Sequence, residues 1–220
     1  MPVRFDEELA TLKRDLVAMG AAAEGMIEKA IAALMDRDRS LLPAIMAEEE
    51  RMDQFQRRID DEAVRLITVY TPVASNLRLI MMATRINAEL ERVGDQVVTM
   101  CHSYETLKLL EEPPLKPLLD LPRMARTAAR MVHEALEVFL TGSPEKAMAV
   151  IRKDDEVDQL NDQIFRELLT HMMADPRSTG RALGLILVAR AVERIADHAV
   201  NIAEDVVFMV KGEDIRHTGS

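Results

Sequence analysis

The sequence predicts an all-α protein built as a tandem repeat of two three-helix bundles, six long helices in all. Three observations carry that prediction. Aromatic residues make up only 3% of the chain and Trp is absent, while Ala, Leu, Met, Glu and Arg abound, which is helix-forming composition. Apolar residues recur three and four positions apart through most of the chain, the spacing of one face of a helix. A short stretch occurs twice, as Glu89-Leu-Glu-Arg-Val-Gly-Asp95 and as Ala191-Val-Glu-Arg-Ile-Ala-Asp197.

The first helix is predicted from about Phe5 to Met35, where Leu9, Leu12, Leu16, Met19, Ala23, Met26, Ala30 and Leu34 mark its apolar face. Ser40 offers an N-cap for a second, running to about Val69 and stopped by Tyr70-Thr71-Pro72. A third, free of Pro, extends from about Asn76 to Leu110. The segment Glu111-Glu-Pro-Pro-Leu-Lys-Pro117 cannot continue it, because its prolines remove backbone donors and push the preceding residues out of the α region. The boundary between halves is placed there, giving repeats at 1–112 and 113–220.

A fourth helix is expected from Pro122 to Phe139, closed by Thr141-Gly142. Ser143-Pro144-Glu145 supplies a cap, a first-turn proline and a first-turn acid for the fifth, which ends at Asp175-Pro176. The sixth runs from about Ser178 to Val210. Sliding the sequence by 105 positions lays Met26 on Met131, Ala30 on Ala135, Leu34 on Phe139, Ile45 on Val150 and Ile59 on Ile164. Later the shift becomes 102, which aligns Glu91 with Glu193 and Asp95 with Asp197. Each half should pack as an up-down-up bundle with its third, most apolar helix at the centre.

Acids at fixed spacing are the candidate functional groups. Glu91 with Asp95, and Glu193 with Asp197, stand four apart and so share one helix face. On a helical wheel Ile186, Ala189 and Val200 fall within roughly 40° of Glu193, so this face should be at least partly buried. The shift of 105 exposes a second repeated pair, Glu49 with Asp53 and Asp154 with Asp158. With 38 acids in the chain, chance alone gives about six pairs at this spacing, and most such pairs are solvated. The weight lies in the recurrence of both pairs at equivalent places in both halves. Crowded carboxylates in an apolar setting repel and lose hydration unless one protonates or a cation binds.

If the second and third helices of a half bring their pairs together, four carboxylates converge. An all-oxygen set suits Mg, Ca, Mn and iron, with zinc tolerated. Ferritin-like di-iron centres need Glu-x-x-His, and no His here has a Glu three residues before it. His102 and Glu204 lie on the acid stripes and could add ligands; His133, His171 and His198 read as structural or surface residues. Arg92 and Arg194 are expected to pair with carboxylates of neighbouring helices. A carboxylate-bridged metalloenzyme and a structural helical scaffold with solvated acids remain as alternatives.

Other chemistry is poorly represented. There is no Gly-rich phosphate loop, no G-x-S-x-G and no HExxH. A formal net charge of −10 argues against nucleic acid and anionic membrane surfaces. Cys101 is the single cysteine, so no internal disulfide forms. Asp6, Glu7 and Glu8 do not read as a secretory leader, and the apolar run from Ala182 to Ala189 is far below the roughly 20 residues of a membrane span. A soluble cytoplasmic protein, without direct membrane insertion, is expected.

The doubled Glu-Arg-Val-Gly-Asp and Glu-Arg-Ile-Ala-Asp-His-Ala-Val-Asn-Ile-Ala-Glu motifs, the stretch Thr71-Pro-Val-Ala-Ser-Asn-Leu-Arg78 and the ending Val210-Lys-Gly-Glu-Asp-Ile-Arg-His217 resemble the PhoU family over essentially the whole chain. That resemblance implies two tandem three-helix bundles whose acidic motifs bind clusters of iron or zinc. The implied ligands are Glu49, Asp53, Glu91, Asp95, Asp154, Asp158, Glu193 and Asp197. It further implies no enzymatic activity. The implied role is negative regulation of phosphate uptake and phosphate-starvation signalling, through the phosphate transporter ATPase subunit and the sensor histidine kinase, often as a homodimer. Ala196 departs from the first copy's Gly94 by one methyl, without removing a ligand.

Overall fold

Turn chemistry sets where each helix begins and ends in the structure, a computed structural model describing residues 3–113, 115 and 118–211. The six helices are α1 (Val3–Asp36), α2 (Leu42–Tyr70), α3 (Ala74–Thr106), α4 (Asp120–Thr141), α5 (Pro144–Ala174) and α6 (Thr179–Lys211), with no strand among the described residues. The Gly142 terminator holds: at φ 65° it adopts the left-handed conformation, and its N–H donates to the Val138 carbonyl at 2.7 Å. Ser143 caps α5 as expected, its hydroxyl accepting from the Lys146 N–H.

Two boundaries differ from the sequence reading. The cap before α2 is Asp38, whose Oδ1 accepts the Ser40 N–H at 2.9 Å; it opens a 3-10 turn at Arg39–Leu41, and α2 starts after it. The third helix stops at Thr106, short of Leu110. Lys108 turns the chain at φ 53°, and the Leu109 N–H returns to the Tyr104 carbonyl at 3.0 Å. The turn buries Leu109 against α6, where a Cβ on Gly184 would stand 2.7 Å from Leu109 Cδ2. A continued helix could not place that side chain there. Of the motifs read from sequence, residues 212–217 and the linker residues Pro114, Lys116 and Pro117 lie outside the described residues.

Packing repeats as the sequence does. Met26 and Met131, Ala30 and Ala135, Leu34 and Phe139, Ile45 and Val150, and Ile59 and Ile164 are all buried. In each half the third helix touches both others, and α3 also packs on α6 while α1 packs on α4. Both inter-half pairs run antiparallel: Arg78 donates to the Met209 carbonyl, Arg85 meets Asp205, and Glu89 meets His198 and Asn201, one number falling as the other rises. Among the described residues no helix is long and apolar enough to cross a membrane.

Candidate functional site

Each half carries its acids on the paired helices of its hairpin, α2 with α3 and α5 with α6. In the first half Glu49 and Asp53 face Glu91 and Asp95; in the second Asp154 and Asp158 face Glu193 and Asp197. The helices project Glu and Asp one turn apart, and antiparallel packing sets the two pairs against each other.

The electrostatics show the crowding. Desolvation pushes Glu49 up, and repulsion from Asp53, Asp95 and Glu50 adds to it. Glu91 is raised likewise by desolvation, then by Asp95, Asp53 and Glu49. The second half is tighter. Desolvation, followed by Asp158, Asp197 and Glu193, lifts Asp154 from 3.8 to about 7. Glu193 and Asp197 rise through desolvation and through Asp158, with Asp197 also acting on Glu193; Asp158 rises through desolvation, Asp155 and Asp162. None of the eight acids has a salt-bridge partner among the described residues. Arg92 offsets part of the rise at Glu91, Arg190 and Arg194 part of it at Glu193, and His198 and Arg194 part of it at Asp197, and desolvation with mutual repulsion still wins.

Burial is partial rather than deep. Glu49, Asp53, Glu91, Asp154 and Glu193 are half-buried, while Asp95, Asp158 and Asp197 open to solvent. The acids thus line a rim between the paired helices, with Ala189 buried on the stripe of Glu193 and Val93 and Ile195 buried on the opposite sides of α3 and α6. Asp154 Oδ1 is shut off from water yet has no hydrogen-bond partner, an arrangement that costs free energy until a proton or cation fills it. Among the described residues no three His, Cys, Asp or Glu side chains stand ready as a metal-binding group. To hold an ion there, the carboxylates would have to turn inward by rotamer change. The donor set, all oxygen and net negative, fits a hard cation. Cys101 adds no thiolate: burial pushes its thiol up to about 12.

The remaining residues singled out in the sequence fall elsewhere. His102 is exposed. Arg92 pairs with Glu89 on its own helix at 2.7 Å, not with a neighbouring one. His198 ties the halves together, its Nδ1 lying 2.8 Å from Glu89 Oε2, which also accepts from Asn201 Nδ2 at 2.9 Å. Burial raises Glu89, but the bonds from His198 and Asn201 outweigh it and hold the carboxyl below its usual range. Sequence reasoning passed over Glu89 and Asn201, because their pairing crosses more than a hundred positions. It also missed Asn87, one turn before Glu91, whose buried amide donates to the Gln56 carbonyl and to Asp60 Oδ1, both at 3.0 Å. An Asn in a stripe of Ile and Leu was the available signal.

The Gly94 and Ala196 exchange has a packing partner. A Cβ on Gly94 would lie 3.2 Å from Met52 Sδ, and the position equivalent to Met52 in the second half is the shorter Val157. Bulk lost on one helix is regained on the other.

Fold and site together define an all-α, internally duplicated protein that presents one four-carboxylate rim per repeat. The PhoU domain model matches it twice, over residues 16–103 and 121–206, on either side of the linker. The chain belongs to the PhoU family. It is 36% identical over 216 residues to a phosphate-specific transport system accessory protein PhoU homolog of Pseudomonas aeruginosa, covering 98% of this chain and 89% of that one. It is 33% identical to the Escherichia coli protein of that name, covering 98% and 89%. The crystal structure of PhoU from Pseudomonas aeruginosa superposes with a TM-score of 0.89 at 34% identity, covering 95% of this chain and all of that one.

Proposed function

We propose that this protein is a non-enzymatic, cytoplasmic accessory protein of phosphate-specific transport that represses phosphate uptake and phosphate-starvation signalling. In this reading it bridges the transporter's ATPase subunit and the sensor histidine kinase as a homodimer, and its two carboxylate rims hold metal. The relatives named above support the transport role. The observation that carries the metal reading is the duplicated set of mutually repelling carboxylates without salt-bridge partners, among which Asp154 Oδ1 is buried with no hydrogen-bond partner.

Glu49, Asp53, Glu91 and Asp95 would hold one centre, and Asp154, Asp158, Glu193 and Asp197 the other. Iron or zinc is the leading candidate, and Mg, Mn and Ca suit the same donors. A bound cation supplies positive charge that cancels the repulsion. The carboxylates would hold and orient it, while the buried contacts between the paired helices fix their spacing. With both helices of a hairpin tied to one cation, the hairpin and the surface it presents to partners would be stiffer.

A pull-down with purified full-length protein tests the adaptor role. Capture of both the transporter ATPase and the kinase sensor domain supports it, and capture of neither contradicts it. Elemental analysis after dialysis tests the metal role separately, and protein that retains no stoichiometric metal overturns that part.

A further inference from the structure

The halves also meet along α1 and α4, and there they leave an opening. The two helices approach closely where Gly20 faces Leu136; a Cβ at Gly20 would lie 2.0 Å from Leu136 Cδ1. About a turn further on, His133 Nδ1 and Glu24 Oε1 bridge them at 3.1 Å. Beyond that bridge the helices part around a groove of about 930 Å³, which reaches Met35 and Pro122. From Glu24 to Met35 it is about 16 Å long, or three helical turns.

Its floor is apolar and shallow. Ile27, Ile31 and Ala32 line it from α1, Ala125 and Ala129 from α4. Of these Ile31, Ala32 and Ala129 are only half-buried, and Met35 at the open end is 44% exposed. The alanines leave room for a backbone to approach. The rims carry opposite charge: Glu28 stands on α1, Arg126 and Arg130 on α4. All three are exposed and have no ion-pair partner among the described residues.

These features select the occupant. The walls are helices whose backbone groups are already bonded within themselves, so an extended peptide laid there would bury unpaired N–H and C=O groups. A helix brings its own backbone bonds and offers an apolar stripe at the required spacing. A nucleic acid or an anionic lipid surface would set the same charge against both rims. We propose that the α1/α4 groove docks an amphipathic helix of a partner protein, about three turns long, with Lys or Arg along its α1 flank and Asp or Glu along its α4 flank. The groove lies on other helices than the carboxylate rims, and the proposal stands without them.

The test uses the full chain and stapled helical peptides of about twelve residues, all with one Leu stripe. One peptide carries Lys on one flank and Glu on the other; two controls carry Lys on both or Glu on both. Fluorescence anisotropy should find the mixed peptide binding about tenfold tighter than either control. The double variant R126E/R130E, at two exposed positions, should shift the preference to the all-Lys peptide by a similar factor, and I31E should weaken all three. Melting curves check that each variant is folded, and the order of the three peptides is read within one protein. Equal binding of all three, or an unchanged order in R126E/R130E, overturns the proposal. So does a self-associated wild type that I31E dissociates and the mixed peptide does not, which would assign the groove to a second copy.

Discussion

Asp154→Asn isolates the electrostatic tension in the second rim. Folding lifts the Asp154 carboxyl from 3.8 to about 7, through desolvation first and then Asp158, Asp197 and Glu193. A rise of that size corresponds to roughly 4 kcal/mol for a fully buried group. Asp154 is only half-buried, and solvent screening reduces this to about 1–2 kcal/mol. The sign follows from the protons. Between about 4 and 7 the folded state holds a proton that the unfolded state has released, so the metal-free protein loses stability as pH rises through that window. Asn removes the charge at nearly constant shape. D154N is therefore expected to melt about 2–8 °C above the wild type in chelator-treated protein at pH 7.5. The advantage should shrink toward zero as pH falls to about 4. With saturating zinc or ferrous ion the order should invert, because the variant has lost a ligand. Calorimetry across pH, with and without metal, reads all three. A D154N protein that is neutral or less stable without metal at pH 7.5 refutes the reasoning.

Three further outcomes follow from the same geometry. E193A/D197A should halve the metal retained after dialysis, by elemental analysis, while E49A/D53A removes the other half; unchanged stoichiometry in either would place the metal elsewhere. E89A removes the acceptor shared by His198 and Asn201 between the halves and should cost about 2 kcal/mol, or about 4–8 °C in melting temperature. Glu89 is held below its usual range, so its contribution should be present above pH 4.5 and fade as pH falls further. In a double-mutant cycle G94A and M52V should couple favourably by about 0.5–1 kcal/mol, because Val at 52 makes room for the new methyl, as Val157 does opposite Ala196.

Much of this was written in the sequence, and the gaps have physical causes. Helix periodicity and Gly, Pro and Ser punctuation located all six helices, since local steric rules fix those features. The equivalence of Met26 with Met131, and of Ile59 with Ile164, announced a core that repeats. The four acid pairs could be found because a spacing of four defines a face whatever the tertiary packing. Depth could not be read that way: Asp95, Asp158 and Asp197 open to water because the neighbouring helix covers only one side of the stripe. The early end of α3 was hidden because Leu109 leaves the helix to reach Gly184, a contact far along the chain. Likewise nothing local to Glu89 announced His198, and nothing local to Arg92 decided between its own helix and a neighbour. The close approach of α1 to α4 uses Gly20, whose partner Leu136 lies more than a hundred positions away.

Anomalous scattering from crystals grown with ferrous or zinc salt probes the central claim most directly. Two sites or clusters should appear, one between α2 and α3 and one between α5 and α6, with carboxylate oxygens of the eight acids about 2.0–2.2 Å from the metal. Density free of any anomalous peak at those rims, with the eight side chains still apart in solvent, would contradict it.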